Sequence, residues 1–378
     1  MEILGLSAAA LRSSRTSEKW ASYGDGVLPL VVAEMDAHPC PDVVEVATAM
    51  VRRGDTGYVR PTPDLGNALA QFAHREWGWP VDLTGHRVVP DVMTGIRQLI
   101  LAATPPRSPV VVSPPCYSSF HGLINSIERP VVTAPLGPDA RLDLDAVDHA
   151  FAKAGPGAAY ILCNPQNPTG TLHTAAELTM VAELADRHGT LVISDEIHAP
   201  LVRRGETFVP YLSLPAASRG LALHSASKAF NLAGLRAAVL LAGTRTRHLS
   251  TGLHPSAVNG AQHLAVAAQQ AAWSADGTWL DQLRGELDDR RALLARLVAD
   301  KLPGIVHTAG PATYLAWWDC AALGLADPAA HFLTEARVAT VAGRHFSEHH
   351  DQWIRVNYAT SPDILVEAVD RMAAALPV

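Results

Sequence analysis

Between about Val88 and Gly243 the chain alternates short apolar runs with segments of helical periodicity, and this alternation restricts the fold more than any other feature. Pro109-Val110-Val111-Val112, Ala159-Tyr160-Ile161-Leu162, Leu191-Val192-Ile193, Leu221-Ala222-Leu223 and Ala238-Val239-Leu240-Leu241 lack the polar alternation of half-exposed strands. They read as strands buried on both faces. Thr174 to His188 reads as an intervening helix, with a hydroxyl cap at its start and Glu177 in its first turn. Strands and helices in alternation predict an α/β fold with a mostly parallel central sheet covered on both sides. Ligands of such sheets bind beyond the carboxyl ends of the strands.

After Gly243 the pattern changes. Ala257 to Ala272 reads as one helix. A longer helix follows, with Leu280, Leu283, Leu287, Leu294 and Leu297 as a core stripe and Glu286, Asp289 and Arg290 as a solvated face. Tyr314 to Trp318, Arg337 to Ala342 and Trp353 to Tyr358 look like strands of a smaller α+β domain. Ser361-Pro362-Asp363 opens a final helix, with serine as cap and proline first. At 378 residues, 48% of them hydrophobic, the chain can fill more than one core. The predicted division is a large domain over 46–255 and a small one built from 256–378 and the irregular segment 1–45.

The net charge of −7, with no Lys/Arg-rich block, argues against a nucleic-acid surface. No apolar span reaches membrane length, and no basic-then-apolar leader pattern opens the chain. Cys40, Cys116, Cys163 and Cys320 are scattered and form no CxxC pair, as expected of a reduced, cytoplasmic protein.

Polar clusters follow the apolar runs. Ser225-Ala226-Ser227-Lys228 to Leu235-Arg236 sets a lysine among small hydroxyl residues, with an arginine close behind. This suits an amine that condenses with an aldehyde cofactor carrying a phosphate, as in pyridoxal phosphate (PLP) enzymes. A solvated surface lysine is the plain alternative. Asn164-Pro165-Gln166-Asn167-Pro168-Thr169-Gly170 is a stiff turn in which Asn167 offers an amide to a ligand oxygen. In Ser194-Asp195-Glu196-Ile197-His198, a strand-end carboxylate can hold a pyridine nitrogen protonated. A metal site at Asp195, Glu196 and His198 is the rival there, weakened by the lack of a second histidine at helical spacing.

Thr94-Gly95-Ile96-Arg97 supplies a glycine turn before a helix, where backbone amides can bind phosphate. Tyr117 can stack on a flat ring or serve the core. Arg355, inside the apolar strand Trp353 to Tyr358, needs a partner. A ligand carboxylate or a structural acid would serve.

Together these segments, with Arg15-Thr16-Ser17-Glu18-Lys19-Trp20, Val32-Ala33-Glu34-Met35-Asp36, Gly57-Tyr58 and Ala312-Thr313-Tyr314-Leu315-Ala316-Trp317, resemble the class I/II aminotransferase superfamily of fold type I PLP enzymes. Within it the chain is most similar to the cystathionine β-lyase (MalY/PatB-like) C–S lyases, in the family's order along nearly the whole length. The resemblance implies that Lys228 carries PLP, that Asp195 partners the pyridine nitrogen, and that Asn167 and His198 lie near the ring oxygen. It implies a phosphate site of Gly95, Ile96, Ser225, Ser227 and Arg236, a stacking Tyr117, and an Arg355 that grips the substrate α-carboxylate. Tyr58 would reach the neighbouring subunit's phosphate, so a homodimer with shared sites is implied. The implied substrate is an amino acid with sulfur on Cβ, cleaved to pyruvate, ammonia and a thiol.

Ala37, Pro200, Ser119 and Phe346-Ser347 depart from the family's usual residues. They raise the expectation of a site opened for a larger cysteine S-conjugate. Two other functions stay open at this level: an aminotransferase, which shares the first proton abstraction, and a PLP-bearing regulatory or scaffold protein.

Overall fold

A computed structural model describes residues 2–60, 62–258 and 260–376. Seven strands form the central sheet: β1 (Arg87–Val89), β2 (Val110–Val112), β3 (Val131–Thr133), β4 (Ala159–Cys163), β5 (Leu191–Asp195), β6 (Leu221–His224) and β7 (Ala238–Ala242). Their spatial order is β1-β7-β6-β5-β4-β2-β3. Neighbours run parallel except at β7, which is antiparallel to both β6 and β1. Parallel strands need a long crossover, usually a helix. The Ser225–Ala237 connection contains none, so the chain returns antiparallel.

Both faces of the sheet are dry, as the unbroken apolar runs require. Val110, Val112 and Ile161 enter one core cluster, while Val111, Tyr160 and Leu162 enter another on the opposite face. The helix Ala175–His188 begins at Thr174 in a reciprocal capping box with Glu177 and stops at Gly189, which has φ +70°. The edge strand β3 is an addition to the predicted set, too short to stand out from its loop. The chain steps outward from β2 to β3 and then crosses back to β4. The switch point, where a crevice opens, therefore lies beyond the carboxyl ends of β2 and β4.

A second, antiparallel sheet orders Val341–Ala342, Trp353–Asn357, Leu315–Asp319 and Val306–Thr308 side by side. Leu28–Pro29 pairs with Val338–Ala339 and ties the N-terminal segment to this part of the molecule. The predicted helix Ala257–Ala272 is instead two described pieces, Pro255–Val258 and His263–Ser274.

The charged face predicted on the long helix Thr278–Lys301 is only partly solvated. Glu286 accepts the N–H groups of Ile3 and Leu4 at 2.8 and 2.7 Å. Arg290 is buried, donating to the Thr360 carbonyl at 3.2 Å and pairing with Glu2. Ser361 precedes the last helix, Pro362–Ala374, but its buried hydroxyl makes no cap bond. Among the described residues no helix is long and apolar enough to cross a membrane, and all four cysteines are buried and unpaired.

Candidate active site

The register of the central sheet sets Cys163 beside Asp195 and Asp195 beside Leu223, so the chain leaves β4, β5 and β6 along one edge. A cavity of about 860 Å³ opens there. Asn167, Asp195, His198, Ser225, Ser227 and Lys228 line it from the sheet side. Tyr117, Arg236 and Arg355 line it as well.

Lys228 Nζ donates to the carbonyl of Ala33 at 2.9 Å. Burial, and then the Arg355 charge, lower its pKa from 10.5 to about 8, which brings the neutral amine within reach. Asp195 ends β5, and burial raises its carboxyl to about 6 against the N–H of Ile197 and the Lys228 charge. A cation in the cavity facing Asp195 would keep it ionised. His198 is held neutral, its pKa lowered to about 3 by burial and by the Lys228 and Arg355 charges. Among the described residues its buried Nδ1 has no partner.

Glu196 does not join them. It turns under the sheet edge, where its carboxyl accepts from the Ser194 hydroxyl at 2.9 Å and the Tyr211 N–H at 2.8 Å. Its Oε2 lies 3.1 Å from His224 Nε2, too poorly aligned for a hydrogen bond. Burial raises Glu196 to about 8 and lowers His224 to about 3, so the pair is neutral. Among the described residues no three His, Cys, Asp or Glu side chains are grouped to hold a metal ion.

Arg355 is buried in the second sheet, opposite Trp317 and Val341, with its guanidinium 4.9 Å above the Phe346 ring. Among the described residues it makes no ion pair; Nη1 donates to Asn167 Oδ1 at 3.3 Å and Nε has no partner. A structural acid is therefore not what holds it. A buried cation with open donors beside a cavity calls for an anionic ligand.

The loops are fixed from outside the motifs. Gln166 donates to the carbonyls of Pro115 and Ser113 at 2.8 and 3.2 Å, joining the β4 loop to the one carrying Tyr117. Tyr117 is set edge-on against Phe120, with centroids 5.5 Å apart. Gln269 accepts from the Ala226 N–H at 3.1 Å and donates to the Leu235 and Ala237 carbonyls at 3.0 and 2.8 Å, bracing the lysine loop. Asn231, at φ +55°, grips both backbone groups of Met35 at 2.8 and 2.9 Å. Asn357 donates to the Val32 and Glu34 carbonyls, each at 2.7 Å. Motif reading missed Gln269, whose helix carries no signal of its own. Asn231 was visible only as part of the lysine motif.

Gly95 and Ile96 do not line the cavity. Gly95 lies inside the helix Val92–Ala103, where an added Cβ would come 2.2 Å from Leu223, so its role is close helix–sheet packing rather than a turn. Its N–H already bonds to the Asp91 carbonyl at 2.9 Å, and Ile96 is buried in the core. The cavity is lined instead by Asp91, Val92 and Met93 at the helix start. Tyr58 is fully exposed and away from this chain's cavity.

The departures also sort themselves. Ala37 and Pro200 are buried outside the cavity and Phe346 packs beneath Arg355, so of these positions only Ser119 reaches the cavity wall.

The sequence profile of the family "Aminotransferase class I and II" matches residues 26–372. The chain belongs to that family. It is 44% identical to a Mycobacterium leprae protein that carries the provisional name cystathionine beta-lyase, over 96% of this chain and 95% of that one. Cystathionine beta-lyase PatB of Bacillus subtilis is 30% identical over 97% and 98% of the two chains. A solved structure from Corynebacterium diphtheriae, described provisionally as a PLP-dependent beta-cystathionase, superposes with a TM-score of 0.93 at 33% identity, covering 99% of each chain. The fold is that of the fold type I aminotransferases and C–S lyases.

The residues present fit PLP. A strand-end carboxyl, a neutral buried histidine with an open nitrogen, an amide, a lysine of lowered pKa and an arginine share one cavity.

Proposed function

We propose that this protein is a PLP-dependent carbon–sulfur β-lyase acting on an amino acid with sulfur on Cβ, a cystathionine-like compound or another cysteine S-conjugate. The observation that carries the reading is Arg355, a buried cation without an acid, in the same cavity as Lys228 and Asp195. The relatives named for cystathionine cleavage support it. Bound at Lys228, PLP supplies an electron-accepting ring through its aldehyde carbon.

The side chains do the rest. Asp195 would keep the ring nitrogen protonated, and Asn167 and His198 would serve the ring oxygen. Tyr117 would hold the ring's face, and Ser225, Ser227 and Arg236 would hold the phosphate, with the amides of Val92 and Met93 in place of those of Gly95 and Ile96. Arg355 takes the α-carboxylate. The Lys228 amine would take the Cα proton. Departure of the sulfur from Cβ and uptake of one water give pyruvate, ammonia and the thiol.

The same reading makes the protein a cytoplasmic homodimer in which the exposed Tyr58 reaches the partner's phosphate. It also keeps the division of the chain at 45/46 and 255/256.

Purified protein offered a panel of cysteine S-conjugates is expected to release pyruvate and thiol in equal amounts. Lys228→Ala is expected to lose both this turnover and the absorbance of the lysine-linked cofactor. Retention of both in the variant overturns the reading. Stoichiometric pyridoxamine phosphate with a keto-acid product, and no thiol, assigns transamination instead.

A further inference from the structure

Asp91 lines the cavity, one residue before the helix Val92–Ala103, and no role has been given to it so far. Its Oδ1 accepts the Thr94 N–H at 2.8 Å and its Oδ2 the Thr94 hydroxyl at 2.7 Å. Oδ2 also receives Nε of Arg236 at 3.1 Å and, more closely, Nη2 of the same guanidinium. The cap and the arginine are thus joined through one carboxylate.

Arg236 needs such a partner. Its side chain is more than half exposed, on a loop without regular structure, and a free arginine there would sample many rotamers. Asp91 engages only the Nε/Nη2 edge and leaves Nη1 outside the fork. A carboxylate beside a phosphate dianion is otherwise a poor neighbour, since like charges repel. Its presence at this helix start, locked on both oxygens, calls for a compensating task.

We infer that Asp91 is the positioning residue of the phosphate cup: it holds Arg236 against the start of the helix, so that guanidinium and backbone amides converge on one phosphate. The inference rests on the cofactor reading above and assigns a residue which that reading leaves aside.

The test uses 4′-deoxypyridoxine 5′-phosphate, which lacks the aldehyde and cannot link to Lys228, and its dephosphorylated counterpart. Their affinities for cofactor-free protein are read from tryptophan fluorescence. Asp91→Asn keeps a good helix cap but removes the charge that orders Arg236. It is expected to weaken the phosphorylated analogue by roughly two- to fivefold, the range of an exposed ion pair. The dephosphorylated analogue should be unaffected. In an Arg236→Ala background the same substitution should cost nothing, because there is no arginine left to hold.

Equal or tighter binding of the phosphorylated analogue by Asp91→Asn overturns the inference, as does a loss that persists without Arg236. A wild-type protein that fails to prefer the phosphorylated analogue overturns the cofactor reading and this inference with it.

Discussion

Arg355, in the second sheet, and Asn167, in the turn after β4, share a hydrogen bond in which Nη1 donates to Oδ1 at 3.3 Å. A guanidinium only donates, so the contact fixes the amide's orientation and leaves Nδ2 as the donor facing away. In the proposed reading one residue thereby serves both ends of the site. Asn167→Asp should set an acid against Arg355 and compete with the substrate carboxylate. Binding of a carboxylate inhibitor is expected to fall by tenfold or more, roughly the value of one charge-assisted bond, and by less in Asn167→Ala. Equal losses in the two variants, measured by titration, would mean that the amide acts only on the ring.

The Lys228 amine, brought down to about 8, predicts how the protein takes up its cofactor. Only the neutral amine attacks an aldehyde. The rate at which cofactor-free protein forms the lysine-linked absorbance should rise with pH and reach half its limit near 8. The Arg355 charge is the second cause of the lowered value, so Arg355→Met should move the midpoint upward, toward 10.5. Stopped-flow absorbance against pH measures it. An unmoved midpoint would leave burial as the whole cause.

Acid should destabilise the fold through its buried histidines. His173, His198 and His224 are lowered to about 4, 3 and 3 by burial, so folding holds them neutral. Below their ordinary value of 6.5 the unfolded chain takes up protons that the folded chain refuses, and stability falls as pH drops from there toward 4. Asp195 and Glu196, raised to about 6 and 8, act in the opposite sense, because the folded state holds their protons longer. His224→Gln removes one of the three groups without touching the cavity. Its denaturant midpoint should fall less between pH 6.5 and 4 than that of the wild type.

Five strands of the central sheet were legible because burial on both faces writes itself as unbroken apolar runs, and the lysine, aspartate and arginine because each stands near the end of, or inside, such a run. The helix start beside the cavity was not. Thr94-Gly95-Ile96 reads as a turn, but Leu223 lies so close to Gly95 that no Cβ fits, and the helix has already begun at Val92. Contacts distant in sequence are equally silent. An added Cβ at Gly310 would come within 2.4 Å of the backbone of Gly170, a meeting of the two parts of the molecule that neither local sequence announces. Arg290, one charge among several on a long helix, is buried only because Glu2 and the Thr360 carbonyl come to it from far along the chain.

Lys19 and Asp36 form an ion pair at 2.9 Å with only 1% and 2% of their side chains exposed, and Trp20 Nε1 donates to the other carboxylate oxygen at 2.7 Å. The pair anchors the segment that carries Ala33, whose carbonyl receives both Lys228 Nζ and the Tyr314 hydroxyl. Removing one partner leaves a buried charge alone, at a cost of about 3–5 kcal/mol, whereas removing both with apolar replacements can cost little. Lys19→Met and Asp36→Leu should therefore each lower stability by several kcal/mol in denaturant titration, while the double variant recovers much of the loss. Turnover should not recover with it, because the anchored carbonyl is part of the lysine's surroundings. A double variant as unstable as the two losses added together would show that the pair contributes by packing alone, with no charge left stranded in the single variants.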